Sequence, residues 1–237
     1  MKEYFDPKYV EELFDDMSSS YAKVNYITSF GFSERWRRQF VKDFDIQQGE
    51  VVVDLMTGMG ECWKHMLRKP NNAKLIAIDF SGEMIKYATL RKEQFENHEI
   101  EIIKEDVLTN SLKSESVDYV ISGFGLKTFN TAQLSKLAKE IERILKPGGK
   151  FSLIDVSIPK NKILRFFYMF YLKTIIPMMG QLFLGNPETY KMLGVYTEVF
   201  ENSREVERIF KQQQFKVQYQ EYFFGCASGV KGEKLKT

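Results

Sequence analysis

Cysteine, histidine and uninterrupted apolar text are all scarce in this chain of 237 residues. The two cysteines, Cys62 and Cys226, stand far apart with no second cluster of metal ligands beside them. That excludes a disulfide scaffold and a structural zinc site, and suits packed thiols in a reducing cytoplasm. The two histidines, His65 and His98, join no triad or ligand set, so no metal is expected. Charge of one sign is also lacking: the formal net charge is +2 and the basic residues are scattered, which excludes a broad electrostatic surface for nucleic acid. The opening MKEYFDPKYVEELF has neither the apolar stretch nor the small-residue cleavage site of a signal peptide. A cytoplasmic location is expected.

The longest apolar text, ILRFFYMFYLKTIIPMMGQLFLG at 163–185, is interrupted by Arg165, Lys173, Pro177, Gly180 and Gln181. A spanning helix wants ~20 largely apolar residues, so no transmembrane segment is predicted. Two readings stay open: two buried helices joined at Pro177, or an apolar lid that touches a greasy substrate or, peripherally, a bilayer surface.

What is present is the makings of a folded domain, with 43% hydrophobic residues and charges of both signs. Short β-branched runs occur at 51–55, 74–79, 100–103, 117–122 and 150–156. Stretches with helical spacing lie between most of them, at 61–68, 82–97 and 131–145. Strand and helix in alternation predict βαβ units and a doubly wound α/β fold with a mostly parallel sheet. Ser81 is placed to cap one helix and Asn130 or Thr131 another, which KPGG is expected to end. The predicted organisation is a single domain over 1–237: an N-terminal helical cover to 48, a core at 49–158, an aromatic helical insertion at 159–200, and a C-terminal helix and strands at 201–237. The insertion would lie above the carboxyl edge of the sheet, where a substrate cover belongs.

The chemistry is concentrated in DLMTGMGE, residues 54–61, directly after Val51, Val52 and Val53. A triphosphate loop requires a lysine after its second glycine, and none is there. The dinucleotide fingerprint fits Gly58 and Gly60, but its third glycine position holds Trp63, which disfavours NAD or FAD. Asp54 before the turn, Asp79 at the end of IAIDF and Asp106 in KEDVL place acids at three successive strand ends. Asp54 can take up N–H groups of the glycine loop and attract a cation, Asp79 can accept ribose hydroxyls, and Asp106 an adenine amino group. A cup of that kind suits a positively charged nucleoside without phosphate, S-adenosyl-L-methionine (SAM), with S-adenosyl-L-homocysteine as product. Met59 and Phe80 flank the loop and the adenosine, while Phe124 reads as ordinary core.

The sequence resembles the ubiquinone and menaquinone biosynthesis C-methyltransferases, a family of class I SAM-dependent enzymes. The carriers are FDDMSSSYAKVNYITSFGFSERW, VVVDLMTGMGE, IAIDFSGEM, SGFGLK, RILKPGGKF and DVSIPKN, followed by an aromatic helix, IIPMMG and YKML. The resemblance implies a Rossmann-like seven-stranded sheet, SAM as cofactor, and methyl transfer to an aromatic carbon of a polyprenylated quinol. By position it puts cofactor contacts on Gly58, Met59, Gly60, Asp79, Asp106, Val107 and Gly123. Tyr21 falls near both cofactor and substrate. With Asp54, Thr57 and Phe80 these make the expected cofactor set. The chain departs from the family at Lys127 and Thr128, where arginine and asparagine are usual after FGL, at Ala22 for aspartate, at Ser33 for histidine, and in its last residues, GCASGVKGEK.

A quinol carbon becomes nucleophilic when a neighbouring hydroxyl, with a pKa of ~10, loses its proton, so a cation that favours phenolate would help. Lys127 is the local candidate, against a reading as a solvated loop lysine. The expected function is methyl transfer to an apolar small molecule, a quinol-like aromatic first, with a lipid-like acceptor and a homodimer both compatible with the sequence. The alternatives are N-methylation of a lipid or small amine, or a SAM-binding partner subunit that has lost catalysis.

Overall fold

A strand sends successive side chains to opposite faces of its sheet, and the near-continuous burial of β-branched runs such as 51–55 shows that both faces are covered here. The computed structural model of the chain describes residues 3–67, 73–184 and 187–236, excluding the side chains of 19–28, 180, 182–184 and 187–188. The elements run α1 (Pro7–Thr28), α2 (Phe32–Phe40), β1 (Val51–Leu55), α3 (Trp63–Met66), β2 (Lys74–Asp79), α4 (Gly82–Lys92), β3 (Glu99–Lys104) and β4 (Val117–Gly123). There follow α5 (Thr131–Ile144), β5 (Leu145–Val156), α6 (Lys162–Phe170), α7 (Ile176–Leu184), α8 (Pro187–Phe200), α9 (Arg204–Phe210), β6 (Phe215–Tyr222) and β7 (Ala227–Lys234).

The strands form one sheet in the order β3-β2-β1-β4-β5-β7-β6. The first five are mutually parallel, and β7 inserts antiparallel between β5 and β6. On one face Val53, Leu55, Ile78, Val120 and Leu153 pack under α5 and α9. On the other, Val52, Leu75, Ala77 and Ile121 pack against Trp36, Phe40, Trp63 and Ala88. Each fully buried Leu or Ile contributes roughly 1.5–3 kcal/mol, so the two faces together hold the sheet rigid beneath its carboxyl edge. The order reverses at β1, whose neighbours β2 and β4 lead to opposite sides, and the crevice at such a switch point is where α/β sheets bind ligands.

The punctuation of the helices is local chemistry. Ser81 Oγ accepts the Met84 N–H at the start of α4. Asn130, not Thr131, caps α5, in a reciprocal box with Gln133. KPGG does not end that helix as expected, because β5 begins immediately at Leu145 and contains those residues. The last carbonyls of the helix are met by a distant cation: Lys234 Nζ donates to Glu142 and Leu145 at 2.8 and 2.9 Å.

The insertion corrects one of the two readings of 163–185. No residue of α6 is buried, so these are not two buried helices. Nor does the path break at Pro177: α6 runs into a π-helical turn, Tyr171–Ile175, and on into α7. Proline has no N–H to give the preceding turn, and the wider π turn just before it, with Ile176 N bonded to Tyr171 O, accommodates that gap. Among the described residues no helix is long and apolar enough to cross a membrane.

The C-terminal GCASGVKGEK supplies β7, whose small residues let its backbone lie close to β5. A Cβ added at Gly229 would sit 2.2 Å from the Leu153 carbonyl oxygen. Gly229→Ala is therefore expected to lower stability by about 1–3 kcal/mol through overpacking. Urea denaturation checks it, and an unchanged midpoint would contradict the β5–β7 register.

Candidate functional site

The loop after β1 is shaped by two glycines in the left-handed region, Gly58 (φ 56) and Gly60 (φ 78). A Cβ on Gly60 would meet the Trp63 ring at 2.7 Å, so the indole fills the space that a dinucleotide fold gives to its third glycine. Trp63 is fully buried and starts a chain of hydrogen bonds. Its indole N–H donates to Thr57 Oγ1 at 2.9 Å, and that hydroxyl donates to Asp54 Oδ2 at 2.7 Å. Asp54 was expected to collect N–H groups of the loop, but that work falls to Asp79. Asp79 Oδ2 accepts from Gly58 N (2.8 Å) and Oδ1 from Ser81 N (3.0 Å), joining the ends of β1 and β2.

Asp54 Oδ1 is left buried with no hydrogen-bond partner among the described residues. Burial pushes this carboxyl up to about 7 against the Thr57 hydrogen bond, with Glu61 and Asp79 adding repulsion. Burial likewise raises Asp79 to about 6, against the Ser81 and Gly58 N–H groups. Two buried carboxyls at one rim, one with an unmet oxygen, can accept hydrogen bonds from a cationic ligand.

These groups line a cleft at the carboxyl edge of the sheet. Of the expected cofactor set, Asp54, Thr57, Gly58, Asp79, Phe80, Asp106, Val107 and Gly123 line it. Gly60 and Met59 do not; they shape the turn from behind, with Met59 buried and its N–H bonded to Glu61. Asp106 Oδ1 accepts from Leu108 N, which fixes its carboxylate at the end of β3. The Tyr21 side chain, like that of Ala22, lies outside the described residues.

Sequence reasoning missed several members. Arg37 is buried at the cleft, its guanidinium 5.0 Å over the Phe124 ring and 3.6 Å from Glu61. Phe5, Pro7, Val10 and Phe14 form the N-terminal wall. That wall is tied down where Asp15 Oδ1 accepts from Ser81 Oγ and Glu83 N, and where Gln133 donates to the Phe5 carbonyl. The acid of TGMGE and the arginine of SERWRR were visible as residue types, but no local spacing joins two segments so far apart.

A second cleft, of about 350 Å³ and with a largely apolar lining, lies on the far side of Phe124. Phe124 lines both clefts and so is more than ordinary core. It sits at φ 71 and Met56 at φ 55, conformations that cost bulky residues energy and that are held by the packing of Met56 on Gly125. Lys127 lines the second cleft and is no solvated loop lysine: it is 6% exposed. Its Nζ donates to Asp155 Oδ1 at 2.9 Å and to the Phe124 carbonyl at 2.7 Å, and its N–H donates to Asp155 Oδ2. Thr128 Oγ1 is bonded back to Gly125 and faces the first cleft, and Ser33 faces the second. His65 lies outside both clefts, 2.7 Å from Glu34.

The sequence pattern of the ubiE/COQ5 methyltransferase family matches residues 2–234. This chain belongs to that family. It is 30% identical over 228 residues to the demethylmenaquinone methyltransferase of Oceanobacillus iheyensis, covering 95% of this chain and 94% of that one. It is also 30% identical to the protein of the same name from Lactococcus lactis, covering 96% and 92%. The fold is shared with a SAM-dependent methyltransferase from Aquifex aeolicus at a TM-score of 0.58 and 21% identity, over 84% of this chain and 89% of that one. Membership makes the chain a class I SAM-dependent methyltransferase, and the orphaned Asp54 oxygen fits a cationic cofactor.

The raised carboxyls set the pH dependence. Because their folded values lie above the ordinary one, their contribution to stability is greatest below that ordinary value and is lost as pH rises through about 6 and about 7. A bound cation favours the ionised forms, so SAM binding should release protons and tighten as pH rises through that window. Calorimetry in two buffers of different ionisation enthalpy checks this; proton-neutral binding at about pH 6.5 would remove the two carboxyls from the site.

Proposed function

We propose that this enzyme transfers a methyl group to a ring carbon of a quinol-like acceptor, with the cofactor in the carboxylate-lined cleft and the acceptor in the apolar one. The observation that carries this reading is that the two clefts meet at Phe124, which lines both. The family and the names of the relatives favour a quinol over an amine.

Bound in the first cleft, the cofactor supplies a methyl group on a positively charged sulfur, an electrophile already activated for displacement. The protein's part is placement, charge and exclusion of water. Asp79 would hold the ribose hydroxyls and Asp106 the adenine amino group. Asp54 Oδ1 would hold the ammonium of the amino-acid end, and Arg37 its carboxylate. In the second cleft Lys127 holds the acceptor's ionised hydroxyl. An ammonium has three N–H donors, of which Asp155 and Phe124 take two. The third is aimed by those two fixed bonds, and ring carbons beside the phenolate become nucleophilic. As the ring carbon gains the methyl group that the cofactor would supply, the proton it gives up returns through solvent to the ring oxygen held by Lys127, and aromaticity is restored.

Two substitutions separate the roles. Asp79→Ala should weaken SAM by about 2 kcal/mol or more through lost charge-assisted hydrogen bonds, measured by titration of a folded variant. Unchanged affinity would remove that assignment. Lys127→Met should lower kcat on the order of 100-fold in protein shown by circular dichroism to be folded, since losing the partner of Asp155 also costs stability. Lys127→Arg should recover part of it, and the deficit should shrink as pH rises toward the acceptor's own pKa of ~10. Transfer of labelled methyl from SAM to a short-tailed quinol is the assay for the whole reading, and SAM binding without any turnover of quinols would overturn it.

A further inference from the structure

Helix α6 has three chemically different sides. Leu164 and Tyr168 turn inward and pack on the core. Ile163, Phe166, Phe167 and Phe170, spaced three and four apart, make an outward stripe and are 72%, 67%, 62% and 51% exposed. The remaining flank carries Lys162 and Arg165, which with Lys173, Met169 and Phe170 line an open groove. From Val156 to Pro187 the chain has four basic residues and no acidic one. Lys173 is paired with Glu198, but among the described residues the side chains of Lys162 and Arg165 form no ion pair.

An apolar stripe of this size on a water-facing helix, rimmed by unpaired cations, is a surface built for contact. We propose that it docks the enzyme on an anionic phospholipid bilayer, with Phe166 and Phe170 entering the acyl boundary and Lys162 and Arg165 meeting the headgroups. The stripe is continuous with the second cleft, since Phe167, Phe30 and Phe223 are exposed and line that cleft too. Docking therefore sets the mouth of the cleft against the phase in which an acceptor with a hydrocarbon tail resides; this consequence rests on the reading of that cleft given above. Charge chooses between occupants of the face. A second copy in an isologous pair would bring identical basic flanks toward each other, whereas an anionic bilayer complements them.

The test is flotation of the full chain with vesicles of phosphatidylcholine alone or mixed with phosphatidylglycerol. The wild type should co-float with the mixed vesicles and release as salt is raised. Phe166→Ser with Phe170→Ser, and separately Lys162→Glu with Arg165→Glu, should each weaken partition at least about tenfold. None of these residues lines either main cleft, so turnover of a short-tailed, water-soluble quinol should be unchanged in both variants. Failure of the wild type to float, or equal flotation of the phenylalanine variant, overturns the proposal. So does a dimer, seen by sedimentation, that the phenylalanine variant dissolves without any vesicle binding. Vesicle binding that follows the predicted pattern with no quinol turnover upholds the docking surface and rejects the acceptor reading instead.

Discussion

A carboxylate held out of water with one oxygen unmet is the constraint around which the carboxyl edge of this sheet is arranged. Asp54 comes to that position because β1 is buried on both faces and ends at the switch point of the strand order. Leaving a buried acceptor unsatisfied costs roughly 1–3 kcal/mol, more when it is charged. The Trp63–Thr57–Asp54 relay secures one oxygen and aims the other. The same relay explains the tryptophan in a slot where dinucleotide folds keep glycine. The indole closes the turn over Gly60 while supplying the donor that starts the chain. Asp79 then stitches the loop to β2 with both oxygens. Strain and desolvation at this rim are held by the rigid sheet beneath.

The second charged pair solves a different problem. Lys127 and Asp155 are both buried, and removing one partner of such a pair typically costs about 3–5 kcal/mol, because the other is left uncompensated. Asp155 belongs to β5 and Lys127 to the loop after β4, so the pair pins that loop to the sheet. Phe124 sits in the pinned segment, between one cleft of carboxylates and one of aromatic rings. On the reading proposed above, a cationic nucleoside and an aromatic acceptor with an apolar tail need different surroundings, and a single loop keeps the two adjacent yet distinct. Beyond it, the insertion leaves phenylalanines in water on one side while completing the apolar cleft on the other.

Much of this was legible in the residues. Short β-branched runs between helical stretches marked the strands, since a continuous run such as Val51–Leu55 suits a parallel sheet covered on both faces. Ser81 and Asn130 announced their helices, because capping is decided within three residues. The acids at successive strand ends could be placed at one rim, because parallel strands put all their carboxyl ends together. What only the tertiary structure decided depends on partners distant in sequence. It gave the Gly58 N–H to Asp79 across 21 positions, and the Lys127 ammonium to Asp155 across 28. It brought Arg37 over Phe124, turned the apolar stripe of α6 outward, and sent Lys234 to close α5. Composition and spacing fix which face of an element is apolar, but the burial of a given charge is set by what the fold stacks against it.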